Sequence, residues 1–200
     1  GRSASQAGSL TSKGRAALGT DFRWGGIPNR ATNANLTTSM GIMATSPGVT
    51  TVTVSGYNTN CIFRTPTGIP ASSPNTLTIT LNQYETYVIE APKNANAANV
   101  DGWLGATISS DKNIALSNGG LNVGVLNGNQ GRDVGIDQPV PTNTIGREYV
   151  FIRGAGNAGA DDNQAEFVVI VGTKDNTQVT VAGGTPVTIG NGDYIEVSDW

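Results

Sequence analysis

Apolar and polar residues alternate along much of this chain with a period of two, and β-branched side chains fill the pattern. Thr50-Thr51-Val52-Thr53-Val54-Ser55-Gly56 sets Val against Thr or Ser, as a strand with one buried and one wet face requires. Thr76-Leu77-Thr78-Ile79-Thr80-Leu81 repeats the pattern, and after a turn at Asn82-Gln83 the segment from Tyr84 to Glu90 is predicted to return as its hairpin partner. Further strands are predicted over 40–44, 62–64, 103–109, 114–117, 121–126, 148–153, 167–172, 178–182 and 187–189. The near-continuous apolar run Glu166-Phe167-Val168-Val169-Ile170-Val171 reads as a central strand buried on both faces.

Turn chemistry separates these strands. Pro47-Gly48, Asn118-Gly119-Gly120, Asn127-Gly128, Gly183-Gly184 and Asn191-Gly192 supply the backbone freedom that tight reversals need. No helix-length segment lies between them, so the expected fold class is all-β, an antiparallel β-sandwich or pair of sandwiches with little helix. Long polar loops are expected over 119–138 and 154–164.

A degenerate internal repeat sharpens this expectation. Thr51–Gly56, Thr78–Asn82 and Tyr87–Glu90 resemble Gln178–Gly183, Val187–Asn191 and Tyr194–Glu196, which implies two related three-stranded units in two packed lobes. The corresponding division is an extended N-terminal segment over 1–20, a first β lobe over 21–110 and a second over 111–200, the two lobes able to form one continuous domain. The ends read as those of a processed piece. Gly1–Gly8 has no apolar core of a signal peptide, and the alternating 192–200 segment has no closing turn, so the native chain is expected to continue.

Composition narrows the chemistry. A net charge of −3 and 14% charged residues make nucleic acid an unsuitable partner, and no apolar run reaches the length of a membrane-spanning helix. With no His and a single Cys, the chain cannot build a Ser-His-Asp triad, a Cys-His pair, a His-containing zinc site or an internal disulfide. Cys61 lies beside Ile62 and Phe63 and reads as a small buried residue, while Trp24, Trp103 and Trp200 read as core anchors.

Two segments carry candidate chemistry. Gly154-Ala155-Gly156-Asn157-Ala158-Gly159 matches the dinucleotide fingerprint in letters, but only Ala160–Ala165 separates it from the next strand, leaving no room for the helix that must face a pyrophosphate. A strand-to-strand loop is the expected reading. Asp133 with Asp137, and Asp161 with Asp162, are hard oxygen ligands on Gly- and Asn-rich loops, so a structural loop calcium is the one cofactor expected, if any. Neither spacing is an EF-hand. Asp133 and Asp137 working as acid and base would make a glycosidase, though no aromatic sugar platform accompanies them. No catalytic residue is therefore expected.

Ser110-Asp111-Lys112-Asn113-Ile114-Ala115, then Gly131-Arg132-Asp133-Val134-Gly135-Ile136-Asp137-Gln138-Pro139-Val140-Pro141, then Ile145-Gly146-Arg147-Glu148-Tyr149-Val150 follow one another in a recognisable order. Downstream come Phe167–Thr173, Asp175-Asn176-Thr177 with Val179, and Gly192-Asp193-Tyr194; upstream stand Ser12-Lys13-Gly14 and Gly19-Thr20-Asp21-Phe22. Taken together they resemble the N-terminal domain family of IgGFc-binding proteins, with Arg23 displacing the aromatic that follows Phe22 in that family. The form of the 131–141 segment resembles bacterial members at the N-terminal end of large type IX-secreted surface proteins of Bacteroidota. The resemblance implies an extracellular, cell-surface, non-enzymatic role in adhesion or gliding-motility filaments. Its partners would be a surface polysaccharide, a glycoprotein, or other cell-surface and secretion-machinery proteins. A carbohydrate- or glycoprotein-binding module is the alternative. Few charges, abundant Thr, Asn and Gly, and a lone Cys agree with an exported module that does not depend on disulfides.

Overall fold

The computed structural model describes residues 10–30, 35–68, 74–123, 133–152 and 168–197. Across them the chain is all-β, with helix confined to 3-10 turns at Gly14–Ala17, Ala97–Val100 and Thr142–Thr144. The first seven strands are β1 (Gly19–Arg23), β2 (Thr37–Ala44), β3 (Thr50–Ser55), β4 (Thr76–Leu81), β5 (Thr86–Pro92), β6 (Thr107–Val123) and β7 (Asp133–Asp137). They form one sheet in the order β4-β3-β6-β2-β5, with β1 and β7 also paired to β6, every pairing antiparallel.

The 17-residue β6 is the spine. Ile114 pairs with both Gly19 of β1 and Ala44 of β2, so those strands lie on opposite edges of β6. Its first half is flanked by β3 and β1, its second half by β2 and β7. The sheet is therefore two wings, β4-β3-β6-β1 and β5-β2-β6-β7, that share one strand. Strands that pass between two sheets are the means by which orthogonal sandwiches turn their corners.

The inner faces of both wings contribute to a single core. Val52, Val54, Ile79 and Leu81 come from one wing and Met40, Ile42 and Ile89 from the other, with Ile108, Ile114 and Leu116 from the shared strand. Trp24 lies at its centre, its ring centroid 5.4 Å from Trp103 and 5.6 Å from Phe63. Trp24 and Trp103 are thus core anchors, as their spacing in the sequence predicts; Trp200 lies outside the described residues.

The remaining strands, β8 (Val168–Val171), β9 (Thr177–Val179), β10 (Val187–Ile189) and β11 (Tyr194–Val197), pair as β8 with β11 and β9 with β10, again antiparallel. Val169 and Tyr194 pack against the main core. Gly105, at φ +77°, makes this contact sterically possible, because a Cβ there would lie 1.8 Å from the Gly192 carbonyl oxygen.

Several expectations are corrected. The hairpin predicted from 76–81 and 84–90 does not form: β4 pairs β3 and β5 pairs β2, and the Asn82–Glu85 turn is a corner between wings. As far as Val123, the strands predicted over 103–109, 114–117 and 121–126 are one strand from Thr107, preceded by turn at 103–105; 124–126 lie outside the described residues. Asn118-Gly119-Gly120 is not a turn. A Cβ on Gly119 would stand 2.4 Å from the Gly135 carbonyl oxygen, so glycine serves close approach of β6 and β7. The polar loop expected over 119–138 accordingly contains the end of β6 and all of β7. β8 is half-buried along its length, and among the described residues it pairs only with β11, so it is not a doubly covered central strand. Residues 148–152, predicted as a strand, join no ladder among the described residues. The expected division between lobes at residue 110 falls within β6.

Candidate functional site

Of the carboxylates singled out in the sequence, two belong to β7 and two lie outside the described residues. Asp133 and Asp137 begin and end β7, opposite Val123 and Asn118 of β6. Four residues of extended chain set their Cα atoms about 13 Å apart along the strand. Asp137 Oδ1 accepts from Lys13 Nζ at 2.8 Å, and the same ammonium donates to the Gln138 carbonyl oxygen. Lys13 N also donates to Gln138 Oε1 at 2.6 Å, so this cluster ties the N-terminal segment to the end of β7. Asp161, Asp162 and the 154–159 glycine segment lie outside the described residues. Among the described residues no group of three or more acidic or thiol side chains is placed to hold a metal ion.

Cys61 is buried, its Sγ 3.4 Å from the Ala98 carbonyl oxygen. Burial, and then the negative charge of Asp101, push its thiol up to about 11, so it stays protonated at neutral pH and is a packing residue.

An open cleft of about 460 Å³ lies where the C-terminal strands meet the main sheet. The connection before β6 supplies Asp101, Gly102 and Leu104; β10, β11 and their turn supply Thr188, Ile189, Gly192, Asp193 and Tyr194. Sequence reasoning missed it, because the two segments meet only through the docking of β11. Its polar groups are held from behind. The Tyr194 hydroxyl donates to Asp101 Oδ2 at 2.9 Å, and Gly190 N donates to Asp193 Oδ2 at 3.0 Å. Burial, then the bond to Asp101, push the Tyr194 phenol up to about 12, so it works as a fixed donor and aromatic wall and not as a base. Arg30 forks onto both oxygens of Glu196 beyond it, a bidentate pair that holds the guanidinium charge even more firmly than usual. Carboxylate oxygens beside Leu104 and Ile189 make a surface of acceptors around a small apolar floor, which suits a ligand rich in hydroxyl or amide donors.

A second cleft, of about 330 Å³, lies between Leu36-Thr37, Arg64, Pro92, Asn94 and Leu121. Its guanidinium is committed to Glu90. Outside both clefts, the segment 149–152 exposes Tyr149, Val150, Phe151 and Ile152, with the two aromatic rings stacked at 6.4 Å.

Fold and surface together define an antiparallel β module in which two wings share a long central strand and a four-stranded unit docks against them. The family model described as IgGFc binding protein matches residues 7–199, and the chain belongs to that family. No curated protein and no solved structure matches it significantly. Among the described residues no helix is long and apolar enough to cross a membrane.

Proposed function

We propose that this chain is a non-enzymatic recognition module of a large secreted cell-surface protein, acting in adhesion by binding a glycoprotein partner. The observation that carries the reading is the cleft at Asp101, Thr188, Asp193 and Tyr194, whose acceptor groups are fixed by bonds behind them and whose mouth is open. Preorganised acceptors cost less to order on binding, and loops held by a rigid scaffold are the usual place for recognition. Membership of a family described as IgGFc-binding supports a protein or glycoprotein as the partner. The composition supports an extracellular location. The likeness of 131–141 to bacterial surface proteins supports a place in type IX-secreted adhesins or gliding filaments.

Thr188 lines the mouth on an exposed strand position, so Thr188→Arg fills the entrance without touching the core. Surface plasmon resonance on a mucin-type glycoprotein, with its enzymatically deglycosylated form and immunoglobulin Fc alongside, is expected to show saturable binding that falls at least tenfold in Thr188→Arg at unchanged melting temperature. Absence of binding to all three, or binding indifferent to the substitution, overturns the assignment. Binding that survives deglycosylation marks the protein surface of the partner as the ligand, and loss on deglycosylation marks its glycans.

A further inference from the structure

The C-terminal strands repeat the pairing of the first wings in detail. In both, two inner strands pair with each other and two outer strands pair around them: β3 with β4 inside β2 with β5, and β9 with β10 inside β8 with β11. Thr50 pairs with Leu81, and Thr177 with Ile189. Ala44 and Gly172 play the same part, each donating its N–H to the carbonyl of a following acidic residue, Glu85 or Asp193, and accepting from the residue before it, Tyr84 or Gly192. Those two residues both have positive φ, +67° and +86°. The acidic side chains both accept from the backbone three residues back, at Asn82 and Gly190. The inner strands leave through Gly56 and Gly183, at φ +77° and +74°.

The equivalence extends to the strand before. Gly19-Thr20-Asp21-Phe22-Arg23-Trp24 precedes β2 as Gly146-Arg147-Glu148-Tyr149-Val150-Phe151 precedes β8, at the spacing that relates Thr50 to Thr177. In the first copy everything is completed by β6, which pairs with β2 and β3 on one edge and with β1 on the other. Among the described residues nothing stands in its place in the second copy. Three features follow from that one difference. Residues 149–152 join no ladder and expose Tyr149 at 61%, Val150 at 88%, Phe151 at 53% and Ile152 at 89%. The edges of β8 and β9 that correspond to the β6-facing edges of β2 and β3 carry no partner among the described residues. Val187, the counterpart of the 5%-exposed Ile79, is 49% exposed, and Val168, Ile170, Val179 and Val181 are only half-buried.

We propose that the unit formed by 146–152 and β8–β11 is an acceptor for one further strand. That strand is antiparallel to β8, β9 and 148–152, and the chain following β11 supplies it, as the chain following β5 supplies β6. Unpaired edges beside half-covered apolar faces bind an added strand through its backbone groups, with alternate side chains setting the register. The source within the same chain follows from the first copy, where β6 begins after the connection 93–106. The occupant is patterned as β6 is, with apolar residues placed like Ile108, Ile114 and Leu116.

The test appends a second copy of the sequence from Lys93 to Val123 directly after Trp200, because Trp200 occupies the place of Pro92 in the repeat. Its control is the same fusion with the appended counterparts of Ile108, Ile114 and Leu116 changed to Asp. Hydrogen exchange read by mass spectrometry is expected to slow at least tenfold over 148–152 and 168–171 in the fusion alone, with the protein monomeric and its melting temperature raised. Equal exchange in the 200-residue chain and the fusion overturns the proposal, as does equal protection by the control. Protection already present in the unextended chain and growing with its concentration overturns the source, because a second copy then fills the edge.

Discussion

Asn99 is a buried polar residue that joins three loops through its hydrogen bonds. It is fully buried on the 3-10 turn before β6; its side chain accepts from Ile62 N at 2.9 Å and donates to the carbonyls of Ile62 and Pro92, both at 2.7 Å. Its own carbonyl takes bonds from Asn29 Nδ2 and Trp103 Nε1. Three loops and the central indole are thereby fixed by one residue. Asn99→Ala leaves one buried N–H and two carbonyls without that partner, each costing about 1–3 kcal/mol when water cannot replace it. The expected loss is on the order of 3 kcal/mol in urea unfolding, against a far smaller change for the exposed Asn60→Ala. A loss below about 1 kcal/mol would mean that water enters the site. Nothing in the sequence distinguishes Asn99 from the many other Asn residues, because its role depends on partners 4 to 70 residues away.

Among the elements, β6 depends most on a residue whose letter misleads. Gly119 sits inside a strand, where glycine is normally unfavourable, because β7 passes so close that a Cβ would meet Gly135 O at 2.4 Å. Gly119→Val is expected to break the β6–β7 ladder and destabilise the protein by about 1–3 kcal/mol, as overpacking does. Exchange over 133–137 should rise selectively. Gly146→Ala, whose Cβ has its nearest contact at 3.7 Å, should leave melting and exchange unchanged. If Gly119→Val melts like the parent, the close approach of the strands is wrong. Strand composition was readable in advance because it rests on local alternation: Val52, Val54, Ile79 and Leu81 are buried where period two places them. Pairing was not. Whether Leu81 runs into a hairpin or a corner is decided by Tyr84 adopting φ +67° and bonding to Ala44, a contact 40 residues back in the chain. Nor could Gly119-Gly120 be told from a turn without the strand that crosses it.

At the scale of the whole molecule, the candidate cleft exists because the second copy of a four-stranded unit docks its outer face on the first. Its inner face, the one that corresponds to the core of the first copy, is left half open. The repeat was visible as Val-Thr alternation, but the cleft was not, since Asp101 and Tyr194 meet only across the docking surface. That contact has a signature in pH. The phenol of Tyr194 is raised to about 12 by burial and by its bond to Asp101, whereas in the unfolded chain it ionises near its ordinary value of about 10. Below pH 10 both states hold the proton and the contribution is complete. As the pH rises toward 12 the unfolded chain ionises first, so this part of the stability is lost. Tyr194→Phe cannot ionise and should start less stable at pH 8 while losing less between pH 10 and 12, a convergence measurable by chemical denaturation at each pH. Parallel losses in the two proteins would show that the phenol is not held by Asp101, and the docking would then rest on the Arg30–Glu196 pair and the close passage of Gly105 under Gly192.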